Sequence, residues 1–212
     1  MAEQGAVMKH ASSLDVFAHW NERRGRQPGP DRADIDPAAI RHSLGDVFML
    51  SVDFGGEFRF RLAGTRICAL YRRELKNERF DSLWSEASRD QIRRLLSIIA
   101  DEQIGAVAGA TGLTADGATT ELELLLLPMA RQGHARIRAL GVLAPIQVPF
   151  WIGVKALTQI ELGSIRHLGA VDKSTGTPRF VAAAGGRIRN GFVVHDGGKA
   201  SPANDDTQEK AS

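Results

Sequence analysis

Two periodicities meet in the middle of the chain. Ile92, Leu95, Leu96 and Ile99 recur at i, i+3, i+4 and i+7 and so form one stripe of a helix from about Arg89 to Gln103. Ser88 and Gln91 have the spacing of a capping box at its start. Burying four such side chains contributes roughly 6–12 kcal/mol before chain entropy is subtracted, so core packing accounts for the stripe without a ligand. On either side the period changes to two. Upstream, Asp46 to Val52 is apolar at nearly every position, the pattern of a strand buried on both faces. Asp53-Phe54-Gly55-Gly56 is a hairpin turn. The returning strand alternates, with Phe58, Phe60 and Leu62 on one side and Glu57, Arg59 and Arg61 on the other.

Downstream lie three further extended segments. Ala106 to Thr114 is rich in Gly and Ala. Thr119 to Leu127 places Leu122, Leu124 and Leu126 on one face, and Ala135 to Leu143 does the same with Ile137, Ala139, Gly141 and Leu143. A turn near Gly133 makes the last two a hairpin. Its register opposes the odd positions Glu121, Glu123, Leu125 and Leu127 to the even positions Arg136, Arg138, Leu140 and Val142. The second face of this hairpin is then partly aliphatic and partly charged, with Glu123 within diagonal reach of Arg138.

The amino-terminal region predicts an amphipathic helix over residues 12–24. Leu14, Phe17 and Asn21 lie on one stripe, with Val16 and Trp20 beside it, and Gly25 ends it. Gln27-Pro28-Gly29-Pro30 is a stiff connector, and a short second helix is expected from Asp36-Pro37, where the carboxylate caps and proline fits the first turn. From Gly169 the periodicity ends, which predicts a disordered tail over 169–212 with Phe192-Val193-Val194 as its one apolar knot. The order of elements gives an α+β fold, a five-stranded antiparallel sheet with helices on one face, preceded by an N-terminal helix. Three segments follow: residues 1–27 as the leading helix, 28–168 as the folded domain and 169–212 as the tail.

Bulk properties narrow the function. The 212 residues suit one domain with appendages, and 43% hydrophobic with 25% charged residues is ordinary for a globular protein. A formal net charge of +2 does not call for a polyanion, so nucleic acid is not an expected partner. No apolar run approaches 18 residues, and the first twenty show no signal-like apolar stretch, so neither a membrane span nor secretion is expected. The single cysteine, Cys68, fits a reducing compartment, and the cytoplasm is the expected location.

The ordered set of segments resembles PAS sensory domains. The similarity is carried by Trp20, by Pro30-Asp31-Arg32-Ala33-Asp34-Ile35-Asp36-Pro37 and by Phe60-Arg61-Leu62-Ala63-Gly64-Thr65-Arg66. It continues through Tyr71, Glu74-Leu75, Phe80, Leu83-Trp84, Leu124-Leu125-Leu126-Leu127-Pro128 and Leu143-Ala144-Pro145. Within that class the chain is similar to short stand-alone bacterial PAS proteins, over about residues 12–168. The resemblance implies a PAS fold and a sensory or regulatory, non-enzymatic role, exerted through contact with a second copy or a regulatory protein. It implies a pocket between sheet and helices, lined by Phe60, Cys68, Phe80, Trp84, Leu96 and Leu124, that could take an unknown small ligand; the alternative is a packed adaptor with no ligand. It also implies that the leading helix, through Leu14, Phe17 and Trp20, docks on Leu125, Leu127, Leu140 and Val142, in this chain or in a partner copy. An aliphatic outer sheet face needs covering on physical grounds alone.

Residue by residue, the better-understood PAS cofactors are not expected. Arg89 to Gln103 contains no histidine for haem, and Cys68 lacks the Asn-Cys-Arg-Phe-like context of the flavin photoreceptors, so it reads as a small buried apolar residue. No Gly-x-Ser-x-Gly elbow, His-Glu-x-x-His or paired-cysteine site is present, and Asp31, Asp34 and Asp36 read as caps and loop solvation. Neither a catalytic residue nor a metal or cofactor site is expected.

Overall fold

The computed structural model describes residues 8–130, 137–168, 187–189 and 192–194. Among the described residues three α-helices, α1 (Ala11–Arg24), α2 (Thr65–Tyr71) and α3 (Glu86–Ser97), accompany strands β1 (Val47–Val52), β2 (Phe58–Ala63), β3 (Gly105–Thr114), β4 (Thr119–Pro128), β5 (Ile137–Pro145) and β6 (Leu157–Leu168). These form one antiparallel sheet in the order β2-β1-β5-β4-β3-β6.

The sheet therefore has six strands, not the expected five. The extra one, β6, pairs with β3 along nearly its whole length. Its period is hidden because the register slips twice, between Leu113 and Thr114 and between Ala108 and Ala110 on β3. Each slip shifts the alternation by one. Leu157, Ile160, Leu162 and Ile165 consequently all face the same core, at spacings of no single period. The same effect corrects β2. A slip between Met49 and Leu50 leaves Arg61 without an opposite residue and turns Leu62 outward, 43% exposed, while Phe60 stays buried.

Helix boundaries also differ from the sequence pattern. α3 begins after Ser85, three residues before the predicted cap, and the N–H groups of Ser88 and Arg89 donate to the Ser85 carbonyl. Ser88 serves the sheet instead: its Oγ accepts from Leu162 N–H at 2.9 Å, and Ser85 N–H donates to Ile160 O at 2.8 Å. These bonds cover part of the open edge of β6. After Ser97 the chain widens into a π turn, Ile98–Glu102. The helix expected from Asp36-Pro37 is a series of turns; Asp36 Oδ1 does accept from Ala38 N–H, but no helix propagates. The turn near Gly133 and most of the tail lie outside the described residues. Within the tail, Arg187–Arg189 (β7) and Phe192–Val194 (β8) pair with each other.

The two faces of the sheet bury separate apolar clusters. On one, α2, α3 and the 3-10 turn Phe80–Leu83 cover Phe48, Leu50, Phe60, Leu122, Leu124, Leu126, Ala139 and Leu143. On the other, α1 and the segment holding Ile35 and Ile40 cover Val47, Met49, Leu125, Leu127, Leu140 and Val142. Gly141 is required at their junction, since a Cβ there would lie 2.2 Å from Phe48 Cζ.

Candidate functional site

The residues predicted to line a pocket do come together. Phe60, Phe80, Trp84, Leu96 and Leu124 are each at most 1% exposed and belong to the inner cluster, with Cys68 half-buried at its margin. What they form is a packed aromatic group. Phe48 lies 5.7 Å from Phe60 and 5.3 Å from Phe80 between ring centroids, and Phe80 lies 5.5 Å from Phe60 and 5.9 Å from Trp84. Such offset and tilted contacts are favourable geometries for aromatic pairs. Phe48 escaped the sequence reading because the run Val47–Leu50 is apolar throughout and does not reveal which residue faces inward.

Two polar atoms stand out inside this cluster. The Tyr71 hydroxyl and the Trp84 Nε1–H are buried with no hydrogen-bond partner among the described residues. Burial drives the Tyr71 phenol far above its usual range, so it stays a neutral donor. Burial likewise raises Cys68, with the Glu74 carboxylate nearby, which disfavours the thiolate and fits an apolar role.

A ladder of charges closes the inner face at its rim. Arg59 bridges Asp53 and Glu57, Arg79 bridges Glu57 (2.6 Å) and Asp81 (2.7 Å), and Arg93 bridges Asp81 (2.7 Å) and Asp90. The alternation ties the β1–β2 hairpin to the Phe80–Leu83 turn and to α3. Burial pushes the Asp81 carboxyl up, and hydrogen bonds from Arg79 and Arg93 bring it below the ordinary carboxylate range. A cleft of about 170 Å³ opens beside this ladder, lined by Phe58, Arg79, Asp81, Arg93 and Leu96 among others. A second, of about 260 Å³, lies on the outer face between Lys9, β3, β4 and β6. Of the predicted pocket residues, only Leu96 reaches either one.

The outer face shows how α1 is held. Leu125, Leu127, Leu140 and Val142 are wholly buried, covered within this chain by Val16, Phe17 and Trp20. Phe17 and Trp20 stack 6.0 Å apart, and the Trp20 indole donates to Pro128 O at 2.8 Å. Leu14 does not share this stripe. It is 51% exposed on the solvent side, because Val16 and Ser13 take the inward positions. The predicted register of the β4–β5 hairpin keeps its parity, with Leu125 opposite Val142 and Leu127 opposite Leu140. Glu123, however, faces Ala144, six residues from Arg138, so no Glu123–Arg138 ladder forms.

Glu123 instead holds the start of α1. It is 4% exposed, and its carboxylate accepts from Lys9 N–H at 2.6 Å and His10 N–H at 3.0 Å. A carboxylate at a helix N-terminus satisfies open N–H groups and complements the helix dipole. Asp46, also buried, accepts from Ser12 Oγ at 2.6 Å and is paired with Arg66 on α2. Two imidazoles act as acceptors: Ser12 N–H donates to His10 Nδ1 and Asp36 N–H to His19 Nε2, both at 3.1 Å. Ser43 Oγ donates to Asp15 at 2.6 Å. The sequence signalled none of these links, since histidine is not a preferred helix cap and the carboxylates are distant along the chain.

Among the described residues, no group of three or more His, Cys, Asp and Glu side chains could hold a metal ion, and no helix is long and apolar enough to cross a membrane. No curated protein matches the chain. A solved structure, the PAS domain of a protein from Colwellia psychrerythraea, is similar at 17% identity over 52% of this chain and 97% of that one, with a TM-score of 0.36. A family model for the PAS domain matches residues 8–144. That span includes α1, the inner aromatic group and the outer aliphatic face, and with it the chain belongs to the PAS domain family.

Proposed function

We propose that this protein is a non-enzymatic PAS regulator that acts through protein contact, with α1 as the element that covers or uncovers a binding face. PAS domains point to a sensory or regulatory role. The observation that carries the finer reading is the asymmetry of the outer face. Leu125, Leu127, Leu140 and Val142, with Val47 and Met49, form a continuous aliphatic surface beneath the amphipathic helix α1 and the segment of Ile35 and Ile40. Besides Val16, Phe17 and Trp20, that helix is fastened by polar links around its start and at His19. Released, it leaves an apolar surface of the kind that marks an interaction site. The partner that fits is a second copy presenting the same face, because an isologous contact between two aliphatic sheets is self-complementary.

The test is the double substitution Phe17→Asp/Trp20→Asp. It should detach α1, leave the inner cluster folded and raise the molecular mass by light scattering to that of a dimer. A variant with α1 detached that remains a monomer at high micromolar concentration would refute contact through this face. A ligand-responsive form of the same reading draws support from the unpartnered Tyr71 hydroxyl and Trp84 Nε1–H, which suit a small, mostly apolar molecule bearing an acceptor. Its measurement is thermal shift across a panel of such compounds, where binding must raise Tm by mass action.

A further inference from the structure

Exposed apolar side chains gather at one place away from both sheet faces. Among the described residues seven large apolar side chains are exposed. Three of them, Val148 (74%), Phe150 (96%) and Val154 (67%), stand in the loop between β5 and β6. Single exposed apolar groups are ordinary, whereas a cluster marks a surface that meets another apolar phase. The stretch Val148-Pro149-Phe150-Trp151-Ile152-Gly153-Val154 has no charged side chain, and its one polar atom beyond the backbone is the indole N–H of Trp151. The loop is also held in shape. Trp151 is buried and Ile152 packs against the inner cluster, so the inward side chains anchor what the outward ones display. The Arg72 guanidinium, just after α2, donates to Val154 O at 3.0 Å, and the Lys155 amine pairs with Asp116 on the β3–β4 turn.

We propose that this loop anchors the protein to a lipid bilayer surface. Val148, Phe150 and Val154 enter the acyl boundary, and Arg72 and Lys155 lie at the level of the headgroup phosphates. Area is the first observation that selects lipid over a second copy. A stable protein contact buries roughly 800 Å² on each side, whereas one Phe and two Val side chains offer roughly a few hundred. Shape is the second. Neither cleft of the structure is lined by these three residues, and a fluid acyl layer takes a protruding tip without a matching groove. The backbone is the third. Pro149 has no N–H, and those of Ile152, Val154 and Lys155 donate to Pro149 O and Trp151 O inside the loop. Unpaired, such groups would be costly in an apolar phase. Long cationic side chains reach phosphates while their stems lie along apolar surface. Because Lys155 is shared with Asp116, the net pull of anionic lipid is small, and the apolar tip carries most of the affinity. This anchor goes beyond the contact reading and uses none of its residues.

The experiment is flotation of the full chain with large unilamellar vesicles of phosphatidylcholine, alone and mixed with phosphatidylglycerol. The wild type should float with both, and somewhat more with the mixture. Phe150→Ser/Val154→Ser should lower the lipid partition coefficient about tenfold or more, since each inserted side chain contributes in proportion to its buried apolar area. The Tm of this variant should stay near that of the wild type, because both side chains point to solvent in the fold. Phe54→Ser is the control. It removes a ring that is 94% exposed at the β1–β2 turn, the opposite end of the sheet from this loop, and should leave flotation unchanged. The inference is overturned if the wild type stays unbound at millimolar lipid, or if the loop variant floats as the wild type does. It is equally overturned if Phe54→Ser lowers flotation as much as the loop variant. Light scattering without lipid adds a final arm: a dimer that the loop variant abolishes would assign the tip to a second copy and overturn the lipid assignment. Contact through the outer face is tested by other residues, so either reading can fail alone.

Discussion

The two faces of the sheet solve the same problem differently. The inner face is sealed by interlocked rings, Phe48, Phe60, Phe80 and Trp84, contributed by β1, β2 and the Phe80–Leu83 turn region, and then braced by the ladder from Asp53 to Asp90. Removing any one element would leave a cavity in close-packed material, so the inner face has no separable part. The outer face is aliphatic and covered by one helix that brings Val16, Phe17 and Trp20, beside the segment that brings Ile35 and Ile40. The remaining attachments of α1 include hydrogen bonds to Glu123, Asp46, Ser43, Pro128 and Asp36. Segments with few buried apolar contacts are drawn from the low-stability end of a protein, and movable elements come from there.

The largest effect should follow truncation on the inner face. Phe80→Ala, at a wholly buried ring touching three other aromatic rings, should cost about 3–5 kcal/mol, read as a lower urea midpoint for the whole domain. A loss below about 1 kcal/mol would mean that the inner cluster is loose, and the contrast between faces would be gone. Trp20→Ala removes a comparable side chain from the outer face, yet its cost should fall mainly on docking of α1. Far-UV and near-UV signals of the inner core should survive, while protease cuts within 11–24; loss of the whole fold would erase the distinction.

A smaller effect tests the ladder. Asp81 is held below the ordinary carboxylate range, so its contribution is present above that range and is lost as pH falls through the depressed value. Asp81→Asn should reduce stability at pH 7 by about 1–2 kcal/mol and flatten the fall in stability below pH 4. An unchanged acid limb in urea titrations would show that the ladder does not couple to folding. Smallest of all, Leu14→Ser on the exposed side of α1 should alter stability by less than about 0.5 kcal/mol and leave Trp20 docked. A large loss there would mean that α1 packs through a face other than Val16, Phe17 and Trp20.

The same contrast governs how much was legible in the sequence. The inner face announced itself because Leu122, Leu124 and Leu126 keep a strict period of two and Ile92, Leu95, Leu96 and Ile99 a helical one. The hairpin parity of Leu125 with Val142 and Leu127 with Leu140 was readable for the same reason. The sixth strand was not, because two register slips break its alternation, and Leu62 was misplaced by one slip in β2. Polar attachments left no periodic trace at all. Glu123 read as half of a surface ladder, and only the three-dimensional register shows it meeting Lys9 and His10, over a hundred residues earlier. Phe60, Phe80, Trp84, Leu96 and Leu124 share one core cluster, but their packing against Phe48 depends on ring geometry that composition cannot encode.

Native-state hydrogen exchange across a series of sub-denaturing urea concentrations tests the central claim most directly. Amides of α1, residues 11–24, should exchange through an opening of distinctly lower free energy and smaller urea dependence than those of β4 and β5, which should open only with global unfolding. If the α1 amides instead merge with the β4 and β5 amides on one global isotherm, the helix is an inseparable part of the core and cannot act as a cover.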